Sequence, residues 1–146
     1  MFLDLETMAA RRFLEWAWTA SAVERAAVAG ELARAFLYDE LAEPEREEAR
    51  LVLIGLLDDS SPLVRRALAE NFASAATVPH YMVLTLAGDH SDIAAIVLSR
   101  SPLLSDAELV DCAATSDSFA QSAIALRPSY RVRWRPRLRK LVLAKP

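Results

Sequence analysis

The chain holds 146 residues, 53% of them apolar and 25% charged, with a formal net charge of −3, three glycines and one cysteine. That profile suits one domain with its own core, and the scarcity of β-branched runs points to an all-α fold. A lone cysteine excludes a disulfide framework, no stretch approaches the roughly 18 uncharged apolar residues of a membrane span, and no basic segment precedes an apolar run at the N-terminus, so a cytoplasmic protein without a signal peptide is expected.

The first helix is predicted over Leu3 to Trp18, where Leu5, Met8, Ala9, Arg12, Phe13 and Trp16 approximate amphipathic spacing. Trp16 and Trp18 are two apart and cannot share a face. Phe2, Phe13, Trp16, Trp18, Phe36 and Tyr38 crowd the first 38 residues. They read as an N-terminal capping pair, residues 1–40, that plugs the core; the alternative is an exposed aromatic anchor for a partner or for a second copy. The second helix opens at Ser21, with Glu24 placed for a capping box. Its buried stripe is predicted as Val28, Ala29, Leu32, Ala33, Phe36 and Leu37, with Gly30 facing a close neighbour or simply tolerated.

The third helix starts at Pro44, a favoured first-turn residue. Glu45, Glu47 and Glu48 match the helix dipole there, and Leu53, Leu56 and Leu57 carry its apolar face. The fourth starts at Pro62 after the turn Asp58-Asp59-Ser60-Ser61. The fifth runs from Pro79 to Ala87, with Gly88 suited to its C-terminal cap. The sixth follows the turn Asp89-His90-Ser91-Asp92 and stops at Pro102. The seventh opens on a capping box, Ser105 to Glu108, and is predicted to bury Leu109, Cys112 and Ala113; the eighth runs from Ser118 to Leu126.

These elements recur. Shifting Ile93–Leu98 forward by 26 positions places it on Phe119–Ile124 and Pro102 on Pro128; shifting back by 30 places Ser91 on Ser61, Val97 on Ala67 and Leu98 on Leu68. A period of about 26–30 residues, each holding two short helices, signals a stacked array. One short pair cannot bury its apolar face alone, whereas stacked pairs share a core. Four antiparallel pairs over residues 1–128 are expected, each leaning on the next.

Chemistry is sparsely signalled. No glycine-rich phosphate loop is present, and one cysteine permits no paired-cysteine metal motif. Asp89, His90 and Asp92 supply ligand or acid–base types, but they occupy an inter-helix turn where Asp and Ser serve as caps. No catalytic residue, cofactor or metal is therefore expected. Charge is more informative. Residues 1–126 carry nine Arg against all 20 acids, a balance of −11, while residues 127–146 carry eight basic residues and no acid. The body should repel nucleic acid and the tail attract it.

The run Asp59-Ser60-Ser61-Pro62-Leu63-Val64-Arg65-Arg66-Ala67-Leu68-Ala69, an acidic turn, then Val-Arg, then small and apolar residues, resembles the second helix of a HEAT repeat. That resemblance implies a HEAT-like α-α superhelix, a short solenoid with the second helices on its concave face. Arg65, Arg66, Glu70, Arg100 and Gln121 then become candidate partner-binding surface residues. Asp58 to Pro128 as a whole resembles a bacterial family common in alphaproteobacteria, domain of unknown function 2336. The matching features are Val64–Glu70, Ile93-Ala94, the element Ser101-Pro102-Leu103-Leu104-Ser105-Asp106, and Ala123-Ile124-Ala125. The resemblance implies a fold and carries no established activity. The chain departs from the family in lacking a histidine near Gln121 and in its tail.

Residues 129–146 leave three readings open: a basic arm for nucleic acid or an acidic partner, an irregular or extended edge interrupted by Pro136, or a non-native reading frame. As an arm, it would bind nucleic acid through Arg131, Arg133, Trp134, Arg135, Arg137, Arg139 and Lys140. The expected function is a non-enzymatic interaction module for an unknown protein partner. Nucleic-acid binding through the tail is the alternative, and a HEAT-fold enzyme using Asp89, His90 and Asp92 the weaker one. A homodimer through the N-terminal aromatics or the C-terminal end is also expected as an option.

Overall fold

A computed structural model describes the backbone of residues 2–127 and the side chains of residues 11–127. Eight α-helices and no strand occupy the described residues: α1 Phe2–Thr19, α2 Ala22–Tyr38, α3 Glu43–Leu57, α4 Pro62–Phe72, α5 His80–Ala87, α6 Ser91–Arg100, α7 Asp106–Thr115 and α8 Ser118–Ala125. The expected all-α class is present. Residues 128–146, with the basic tail and the C-terminal edge of the repeat region, lie outside the described residues.

Local chemistry sets the helix ends. Ser21 accepts a hydrogen bond from the Glu24 N–H, and Asp117 accepts one from the Ala120 N–H. Ser105 and Glu108 form the complete reciprocal box expected from sequence. Pro44 sits within the first turn of α3, behind the cap residue Ala42. Gly88 is the C-cap of α5, but at φ −94° it does not use the left-handed conformation for which glycine is favoured there.

The chain forms two compact units, Met1–Asn71 and Phe72–Pro146. In the first, α3 packs against both α1 and α2. Ala29, Ala33 and Phe36 of α2 and Ala49, Val52, Leu53, Leu56 and Leu57 of α3 are buried. Val28, Leu32 and Leu37 are only half-buried, so the stripe of α2 is narrower than predicted. Gly30 is buried; a Cβ there would stand 3.2 Å from the flexible Arg34 guanidinium of its own helix and in ordinary contact, at 3.5 Å, with the Asn71 amide of α4. In the second unit α5 packs on α6, α7 on α8, and α6 most extensively on α8. Met82, Val83, Leu86, Ile93, Val97, Leu98, Leu109, Ala113 and Ile124 make its core.

The N-terminal aromatics part company. Phe36 is buried with the Arg46 guanidinium 4.3 Å from its ring centroid, whereas Trp18 is 89% exposed and Tyr38 75% exposed. Trp16 leans on Phe13 at 5.5 Å between centroids and stays partly in solvent.

Candidate functional site

On α4, Val64, Leu68, Ala69 and Phe72 are buried, which turns Arg66 and Glu70 outward one turn apart; Arg65, between them and the core, is half-buried. Arg100 is exposed in the last turn of α6, where a cation matches the dipole. Arg66, Glu70 and Arg100 are therefore all exposed.

Gln121 is not. Its side chain is 1% exposed and donates through Nε2 to the carbonyls of Ala113 at 2.6 Å and Ser116 at 3.2 Å. The expectation that it lies on the outer surface is corrected, for a physical reason. The last carbonyls of α7 need donors, and the amide of a residue on the packed helix α8 reaches them. The basic residues Arg131, Arg133, Trp134, Arg135, Arg137, Arg139 and Lys140 lie outside the described residues.

The turn Asp89-His90-Ser91-Asp92 borders a cleft of about 270 Å³ in the second unit, shared with Gly88, Cys112, Ser116 and Asp117. Asp92 is not among the lining residues. The other polar groups have structural partners. Asp89 accepts the His90 N–H, the Ser91 hydroxyl donates to the Asp117 carboxylate, and Ser116 donates to the Cys112 carbonyl. His90 is the N-cap residue of α6, and its ring makes no capping bond. Cys112 is half-buried rather than enclosed as predicted. Burial pushes its thiol pKa up, and Glu108 and Asp111 push the same way, so the sulfur stays protonated and weakly nucleophilic at neutral pH. Among the described residues no three His, Cys, Asp or Glu side chains stand close enough to hold a metal ion. Asp89, Ser91, Ser116 and Asp117 of the cleft are thus engaged as caps and ties.

Sequence reasoning missed the polar ties within each unit. In the first, Arg25 makes a two-point ion pair with Asp59 at 3.0 and 3.2 Å, and Arg34 donates to the side-chain amide oxygen Oδ1 of Asn71 at 3.3 Å. In the second, His80 of α5 meets Glu108 of α7 at 2.9 Å. Most telling is Arg127, which is 6% exposed and donates to the carbonyls of Leu98 at 2.6 Å and Ser101 at 2.5 Å. The Leu98 carbonyl would ordinarily accept from the residue four positions on, but that residue is Pro102, which has no N–H. Arg127 supplies the missing donor. Burial lowers its pKa while Asp106 acts in the opposite sense, and a guanidinium still remains charged at any physiological pH. The signal was legible in principle, since a proline four residues after a helical leucine leaves an orphan carbonyl.

No family model, curated protein or solved structure matches the chain. No helix among the described residues is long and apolar enough to cross a membrane.

Proposed function

We propose that the chain is a short HEAT-like helical-repeat protein, related to domain of unknown function 2336, that serves as a non-enzymatic protein-interaction module. The observation that carries this reading is the spacing of its polar ties. Ser91 bonds Asp117, and Arg127 bonds Ser101, each pair 26 positions apart; His80 meets Glu108 at a separation of 28. These separations match the sequence period, and bonds between positions one repeat apart are what stacked helix pairs require. In the first unit the corresponding ties span 34 and 37 positions, as an atypical terminal pair would. Recognition is assigned to the exposed charges of the second helices, Arg66 and Glu70 in one unit and Arg100 in the other. Two arginines and one glutamate make up these recognition charges, so the favoured partner segment carries both signs and is complementary to them.

The test is affinity capture from a native lysate of the source cell, comparing the wild-type chain with a variant carrying Arg66→Glu, Glu70→Arg and Arg100→Glu. A saturable, salt-sensitive partner held by the wild type and lost by a variant of unchanged circular dichroism is the expected result. Equal capture by both proteins, or retention that requires only residues 129–146 and nucleic acid, contradicts it.

A further inference from the structure

We propose that the outer face of α1, together with the adjoining face of α3, is the surface on which two copies of this chain associate about a two-fold axis. This goes beyond the partner-binding reading and uses none of its residues, so either can fail alone.

α1 is the one long helix here whose described side chains, residues 11–19, include none that is buried, although Phe13, Leu14, Trp16 and Trp18 lie among them. Only Phe13 and Ala17 are half-covered. α1 packs on α3, and the remaining side chains are left uncovered beside that contact. Helical spacing places Arg11, Leu14, Glu15 and Trp18 on one side, with Leu14 43% and Trp18 89% exposed. Leu14 sits over Gly55 of α3, 3.4 Å from where a Cβ would stand. One position and one turn before that glycine on α3, Ile54 and Leu51 are 38% and 42% exposed. The result is an apolar strip shared by two helices, with an aromatic anchor at one end.

The charges on the strip select the occupant. Arg11 and Glu15 stand one turn apart on the same face and both are exposed. A partner surface of either sign would repel one of them. A second copy crossing antiparallel repels neither, because Arg11 of each copy meets Glu15 of the other, and one two-fold axis makes both pairs. Leu14 and Trp18 then leave solvent on both chains.

The experiment is sedimentation equilibrium of the full chain across a concentration series, at low and at high salt. The wild type is expected to dimerise, and Leu14→Glu to weaken the dimer at least about tenfold. Arg11→Glu or Glu15→Arg alone is expected to weaken it by about tenfold as well. The double exchange restores it to within about twofold, because the pairs are remade with their signs reversed. Circular dichroism of each variant checks that the helices persist. A chain that remains monomeric, or a dimer indifferent to Leu14→Glu and to the charge exchange, overturns the proposal.

Discussion

Arg127 shows how a single side chain can close the end of another helix. Its two guanidinium nitrogens take up the Leu98 and Ser101 carbonyls at the point where Pro102 ends the backbone ladder of α6. Gln121 does the same for α7, and Arg46 of α3 donates to the Phe36 carbonyl at the end of α2 at 2.9 Å. Arg127→Met keeps the buried stem and removes the donors. It should cost about 1–3 kcal/mol, because a buried carbonyl is left unpaired, measurable by urea unfolding. Glu108 gives a pH signature. The Ser105 N–H first, and the His80 ring after it, hold its carboxyl below the ordinary carboxylate range. A group with a lowered folded pKa stabilises the fold at pH above its unfolded value and loses that contribution as pH falls through the folded one. Wild-type protein should therefore exceed Glu108→Gln in thermal stability at neutral pH. The difference should vanish in acid, below the ordinary carboxylate range.

At the scale of elements, every helix announced in the sequence is present, and the reason is that helix starts are written in local chemistry. Ser105, Pro62 and Ser118 stand at or beside the first turns of their helices whatever the tertiary context. Ser105→Ala removes one half of the only complete capping box among the described helices and should cost about 1 kcal/mol, read from the thermal midpoint. Burial was less legible, because it depends on which helix covers which. Cys112 and Leu32 carry apolar side chains at helical spacing and are nevertheless half-exposed. Gln121 is polar and completely enclosed, since the carbonyls it satisfies belong to a different helix. For polar ties 26 to 37 residues apart the partner leaves no local pattern, even where, as at Pro102, the orphan carbonyl does.

For the whole molecule, the candidate surface was partly legible. Arg66, Glu70 and Arg100 are exposed as expected, because their neighbours at core spacing are Val64, Leu68, Val97 and Leu98, all buried. The aromatic N-terminus was read as a plug for the core; among its described side chains Phe36 is buried in that way, while Trp18 faces solvent. A HEAT-like stack places its stability in each helix pair and in the contact with its neighbour, so damage should stay local. Ile124 of α8 is fully buried in the unit where α8 lies along α6, and Ile124→Ala should remove about 2–5 kcal/mol. The most direct measurement is native-state hydrogen exchange of that variant, resolved by helix. Modular stacking predicts that protection falls in α8, α7 and α6 while α3 keeps its wild-type value. Equal loss of protection in α3, α6 and α8 would mean a single cooperative bundle and would contradict a modular stack.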